Sequence, residues 1–215
     1  MVGLAGLVRA AGDGRGDAEV VTRMLARVAV DGPPHPSTLL QAGPAILGGV
    51  GVTPAWSRDR RWLVQCDGRV DNGSDLDRWV GARVDGPMSD VECVADVFAR
   101  PETPEAADVA RLIGDFAIVA WQSQSRRLCL ARDALGLRPL FYAWTPEVCW
   151  WASTLAALLE PDWIARTFNE GHIGEYLARA PVSLHETPIV GAHRLPQAHW
   201  LQWTPGRPPQ VTPFW

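Results

Sequence analysis

Gly114-Asp115-Phe116-Ala117-Ile118-Val119-Ala120-Trp121, followed by Leu128-Cys129-Leu130-Ala131-Arg132-Asp133-Ala134-Leu135-Gly136-Leu137-Arg138-Pro139-Leu140-Phe141-Tyr142, is the stretch on which the fold turns. Phe116 to Trp121 is apolar at every position, so both faces of that strand must be covered. Arg127 to Ala131, Leu140 to Trp144 and Val148 to Ser153 are three further short β-rich runs separated by turn residues. With helical patterns elsewhere, this predicts an α+β protein of stacked sheets between helical layers. Within the stretch, Asp133 is placed to cap a turn that Gly136 permits by accepting a positive φ. Pro139 then fixes entry into the next strand.

Outward from this block, Gly3 to Val8 reads as a buried strand. Asp17 to Val30 carries apolar residues at helical spacing, with Asp17 as its N-cap and Gly32-Pro33-Pro34-His35-Pro36 as its stop. Ala45 to Val52 and Trp62 to Cys66 read as strands, the second followed by an Asp67-Gly68 turn. Asn72 to Val84 reads as helix. Ser89-Asp90-Val91-Glu92 has capping-box spacing and opens a helix to about Ala99. Thr103 is read as the cap of a helix beginning at Pro104 and ending near Gly114. Thr154 to Leu159 makes a helical turn, Asn169 to Ala180 a helix and Trp200 to Trp203 a late strand. No internal repeat or long linker interrupts the chain, so residues 1–215 read as one domain.

Composition narrows the function classes. The 215 residues are 47% hydrophobic and 20% charged, enough for a full core. The net charge of -4 and the scattered arginines favour neither nucleic acid nor an anionic membrane. Four cysteines lie far apart with no CxxC pair, which argues for packed, reduced thiols over a metal site or disulfide framework. With neither a signal-peptide pattern nor an 18-residue apolar run, the reading is a cytoplasmic protein with no membrane span. The eleven tryptophans are read mainly as core or half-buried, with some available to mark a surface that meets another domain.

The block Gly114 to Tyr142 resembles the glutaminase domain of the asparagine synthetase family. Ser89-Asp90-Val91-Glu92, Gly68-Arg69-Val70-Asp71-Asn72, Ala152-Ser153, Glu186 to His199 and Pro213-Phe214-Trp215 extend the resemblance over nearly the whole chain. It implies a glutamine amidotransferase type 2-like domain with the N-terminal-nucleophile hydrolase fold, an αββα four-layer sandwich of two antiparallel sheets.

In active members of that family the second residue is a cysteine whose thiolate attacks the glutamine carboxamide, with its own α-amine as base. An Asn side chain and a Gly amide form the oxyanion hole. Here the nucleophile position is Val2, the oxyanion Asn falls on Asp67, and Gly68 and Asp90 remain. Where the family has His-Arg-Gly-Pro-Asp the chain has Val30-Asp31-Gly32-Pro33-Pro34, and an arginine-bearing strand of relatives reads Leu47-Gly48-Gly49-Val50-Gly51-Val52. Asp67, Gly68 and Asp90 are therefore read as a vestigial glutamine pocket with no catalytic residue. Cys66 is considered as a substitute nucleophile, but it lies within a β run.

The Ser-Gly-Gly-x-Asp-Ser loop that binds ATP pyrophosphate in the family's synthetase domain does not occur in this chain. The resemblance thus implies no cofactor here, with ATP and Mg belonging to a synthetase domain supplied in cis or in trans. The expected role is a scaffold with lost glutaminase activity, as in β-lactam synthetase and the lasso peptide cyclases. The altered Gly68 to Asn72 stretch inclines the reading to a lasso peptide macrolactam cyclase, with a precursor peptide and leader-processing proteins as partners. A β-lactam synthetase-like or asparagine synthetase-related protein, a stand-alone interaction module and a glutamine hydrolase with an unrecognised nucleophile stay open, as does a homo-oligomer.

Overall fold

Strand β1 (Gly3–Arg9) is buried on both faces from Gly3 to Val8, because it lies in the middle of a sheet that is itself covered on both sides. In this computed structural model, which describes residues 2–12, 16–29, 35–81, 88–100, 104–180 and 182–215, β1 pairs antiparallel with β3 (Ala45–Val50) on one side and β9 (Val148–Ala152) on the other. Strand β2 (Ser37–Ala42) extends the sheet beyond β3, and β8 (Phe141–Trp144) and β10 (His193–Arg194) extend it beyond β9, giving the order β10-β8-β9-β1-β3-β2. The second sheet comprises β4 (Ala55–Trp56), β5 (Trp62–Val70), β6 (Gly114–Gln122), β7 (Arg127–Arg132), β11 (His199–Trp203) and β12 (Gln210–Pro213), in the order β12-β11-β7-β6-β5-β4. All its pairings are antiparallel.

Three apolar clusters define four layers. Between the sheets, Leu4, Leu47, Leu63, Val119, Trp121, Leu130, Trp151 and Leu201 meet. On the outer face of the first sheet, Leu7, Ile46 and Trp150 pack against Val21, Met24 and Leu25 of α1 (Asp17–Val28) and Leu158 of α5 (Leu155–Leu158). On the outer face of the second, Trp62, Val64, Ile118 and Ala120 pack against Val94, Val97 and Phe98 of α3 (Asp90–Ala99). Leu76 of α2 (Gly73–Val80) and Val109 of α4 (Ala106–Val109) join them. The expected αββα sandwich is therefore present. Val119 and Trp121 point inward and Ile118 and Ala120 outward, which is why the Phe116–Trp121 run has no polar position.

The four β-rich runs around Phe116–Ser153 all form strands. Ser89 opens α3 with the expected reciprocal cap to Glu92, whose carboxylate accepts from the Ser89 amide at 3.0 Å. Three expectations are corrected. Asp17 is the first helical residue rather than the N-cap, which is Gly16, because the Asp17 carboxylate is held by the Arg9 guanidinium at 2.7–2.9 Å. Asp67-Gly68 is no turn: β5 runs through it to Val70, paired with β6. Helix α4 is one turn, capped by Glu105 and Asp108, while Thr103 lies outside the described residues. Trp62, Trp121, Trp150, Trp151 and Trp203 are fully buried, as the core reading expects, and Trp215 is exposed.

Helix α6 (Glu170–Leu177) differs from the rest, because none of its residues is buried. It starts at Asn169, whose side chain accepts from the His172 amide at 3.2 Å. Phe168, Tyr176, Leu177, Val182, Leu184 and Val190 are all exposed along this segment. Among the described residues, no helix is long and apolar enough to cross a membrane.

Candidate functional site

The site is built where β1 begins, at one end of the sandwich. Val2 enters β1 and rests on Gly51: a Cβ added to that glycine would lie 3.1 Å from Val2 Cγ2. Two clefts of about 460 Å3 each open on either side of Val2. The first is lined by Gly51 to Ala55, Cys66, Gly68 and the start of α3 from Ser89 to Glu92. The second is lined by Asp67, Leu137 to Pro139, Phe141 and Ser153 to Leu155. Strand alternation along β5 explains the division, since Cys66 and Gly68 face one way and Asp67 the other.

The residues read from the sequence are therefore split. Gly68 and Asp90 share the first cleft, Asp67 lies in the second, and Val2 belongs to both. The Val30–Pro34 segment lies outside the described residues. Cys66 is buried in β5, and burial first, then the Asp90 and Asp67 charges, push its thiol far above the ordinary range. A thiol so held carries negligible thiolate at neutral pH and is a poor nucleophile.

The wall of the second cleft is set by the Arg132-Asp133 pair. Asp133 is fully buried, and its carboxylate accepts from the amides of Leu135 and Leu137 at 3.0 Å and Arg138 at 3.1 Å. Arg132 takes the opposite set of groups, donating to the carbonyls of Arg138 at 2.7 Å, Leu195 at 2.9 Å and Gly136 at 2.5 Å. Gly136 turns at φ +67°, as expected of the residue this cap needs. One carboxylate and one guanidinium thus hold the 134–138 loop by its amides and carbonyls, and so aim Arg138.

Sequence reasoning missed what Arg138 does. Its Nε and Nη2 donate to Asp115 Oδ2 at 3.1 and 3.0 Å, and its Nη1 stands 3.5 Å from Asp67 Oδ1. The partners are brought together by strand pairing, not by any local spacing. Asp67 is 2% exposed, and its Oδ1 receives no hydrogen bond among the described residues. Burial pushes its carboxyl up to about 6; Arg138 opposes the shift and Asp115 adds to it.

The folded protein therefore keeps the Asp67 proton to a higher pH than the unfolded chain does. The native state binds more protons between about pH 4 and 6, so this group lowers stability as pH rises through that window. Asp67→Asn is expected to be more stable than the parent by about 3 kcal/mol at pH 8 and close to it near pH 4. Urea melts at the two pH values check this, and a pH-independent difference would contradict it.

Comparison with known proteins agrees with this fold. A family profile described as a glutamine amidotransferase domain matches residues 1–215. Asparagine synthetase [glutamine-hydrolyzing] 2 of Bacillus subtilis is 25% identical over 157 residues, covering 71% of this chain and 21% of that protein. Asparagine synthetase [glutamine-hydrolyzing] 2 of Arabidopsis thaliana is 27% identical over 124 residues, covering 57% of this chain and 21% of that protein. The chain thus spans about a fifth of the length of these relatives. The solved glutamine phosphoribosylpyrophosphate amidotransferase from B. subtilis superposes with a TM-score of 0.64 at 14% identity, over 99% of this chain and 49% of that one, a likeness of fold. With a family match over its full length and the four-layer architecture of a solved amidotransferase, the chain belongs to the glutamine amidotransferase domain family.

Proposed function

We propose that this domain has lost glutamine hydrolysis and serves as the scaffold of an asparagine-synthetase-type, ATP-dependent amide ligase. The observation that carries the reading is Val2 at the nucleophile position, between two clefts and beside the Asp67 carboxylate. An isopropyl group has no lone pair to attack a carboxamide. A carboxylate where relatives hold an oxyanion-stabilising amide repels the charge that develops in the transition state. Cys66, with its raised thiol, supplies no replacement.

A ligase that activates a carboxylate and lets an amine of its own substrate attack needs no ammonia. Closure of a lasso peptide macrolactam is such a reaction, and the altered Gly68 to Asn72 stretch favours it over a β-lactam synthetase. ATP and Mg then act in the synthetase domain, with a precursor peptide as substrate. Helix α6, which has no fully buried residue and carries exposed Tyr176 and Leu177, fits a face that another domain covers.

Ammonia release from L-glutamine by the purified chain is expected to stay at buffer background, and Val2→Cys alone is expected to leave it there. Loss of one oxyanion donor in a working enzyme already lowers kcat by about 10² to 10³. Release above background that Cys66→Ala abolishes would overturn the proposal. For the ligase assignment, co-expression of the chain, its synthetase domain and the leader-processing proteins with a precursor peptide should yield a processed peptide lighter by one water than its linear form. An unchanged peptide mass argues against the cyclase.

A further inference from the structure

We propose that the second cleft is a binding site for a primary ammonium group on a short apolar stem, with Asp67 as its counter-ion. This inference holds whether or not glutamine hydrolysis survives, because the cleft is the one that Gly68 and Asp90 do not line.

The polar groups at the cleft are mostly committed. Ser153 Oγ accepts from the Leu4 amide at 2.8 Å, and Thr154 Oγ1 accepts from the Ala157 amide at 3.1 Å. Arg138 spends two N–H groups on Asp115. Asp67 Oδ1 is left with a guanidinium nitrogen at 3.5 Å and no hydrogen bond among the described residues. An unsatisfied buried acceptor is costly, and a ligand donor would satisfy it.

The local charge balance selects a cation. Asp67 and Asp115 share Arg138, while Arg69 sits 2.6 Å from Asp71 and 4.0 Å from Asp115. Three carboxylates thus face two guanidiniums, and the uncompensated charge belongs to the one buried acid that lacks a hydrogen-bond donor. An anionic ligand would meet that charge, and a neutral donor would leave it unbalanced.

The walls select the rest of the ligand. Val2, Leu137, Pro139, Phe141 and Leu155 make an apolar throat leading to Asp67, in a volume of about 460 Å3 that suits a small molecule or one side chain. A compact charged head on a chain of a few methylenes matches both ends.

The probe is 1-pentylamine, compared with 1-pentanol and pentanoate of equal length, in amide NMR titrations of the chain at pH 7.5. The amine is expected to bind at least about tenfold more tightly than either analogue, with shifts at Leu137, Phe141 and Leu155. Asp67→Asn should weaken the amine by about tenfold and leave pentanol unchanged. Arg138→Gln should strengthen amine binding severalfold, a direction that a merely apolar cleft would not show. L-glutamine, whose carboxylate accompanies its ammonium, should not shift these residues. Equal affinities for the three pentyl compounds, undiminished amine binding in Asp67→Asn, or shifts centred on Gly51 and Asp90 would each overturn the proposal.

Discussion

Asp133→Ala is expected to lower the unfolding free energy by about 3–5 kcal/mol, a large share of the roughly 5–15 kcal/mol of an ordinary domain. The fully buried carboxylate satisfies three backbone amides that have no other acceptor among the described residues. Its own backbone is fixed as well: the Asp133 amide donates to Phe116 at 2.9 Å and its carbonyl accepts from Ala198 at 2.9 Å. The backbone around residue 133 therefore stays in place when the side chain is cut back, and the loop amides are left unpaired. Arg132 still grips the loop carbonyls, so the 134–138 loop should loosen without detaching. Urea unfolding checks the magnitude. Amide exchange at Leu135, Leu137 and Arg138 should accelerate more than exchange in β6. Asp133→Asn keeps one carbonyl oxygen and should fall between the alanine variant and the parent. A loss below 1 kcal/mol for Asp133→Ala would show that the loop is held from elsewhere.

Gly68→Ala is expected to prevent stable folding or to remove at least about 3 kcal/mol. Gly68 adopts φ +133°, a conformation that L side chains rarely reach, and an added Cβ would stand 1.9 Å from the Asp115 carbonyl oxygen. Neither partner can retreat easily. Gly68 pairs with Phe116 inside a ladder that runs from Trp62↔Gln122 to Val70↔Gly114. The neighbouring register position is Arg69↔Asp115. Thus the close approach that forbids a side chain at Gly68 also sets Asp115 beside Asp67. Expression yield and thermal melts test the change. A folded Gly68→Ala protein with an unshifted melting temperature would show that β5 can slide, and that the position of Asp67 is not fixed.

The elements legible in the sequence are those whose composition follows from burial alone. Phe116–Trp121 and Val148–Ala152 carry no charged residue because both their faces are covered. Strand β2 went unread because it is an edge strand, Ser-Thr-Leu-Leu-Gln-Ala, with alternate residues exposed. Asp67-Gly68 has the composition of a hairpin turn, but pairing with β6 holds it in a strand, so the local signal lost to the ladder. At the site, the family pattern located Val2, Asp67, Gly68 and Asp90 along the chain. It did not divide them between two clefts, since that division depends on which face of β5 each residue takes. Nor did it find Arg138, whose two carboxylate partners meet it only after β5, β6 and the 134–138 loop are assembled.

The central position of β1 has a consequence for the order of events in the cell. One of its neighbours, β3, follows about 40 residues later in the chain, but the other, β9, spans 148–152, and the Leu4 amide donates to Ser153 Oγ across 149 positions. At roughly 5–20 residues per second, β1 waits about 7 to 30 seconds for its second partner. During that interval its apolar face and one hydrogen-bonding edge are open to whatever protein binds nascent chains. The cradle around Val2 therefore cannot close until β9 has been made, and substitutions in β9 should slow its closure as much as substitutions in β1 itself.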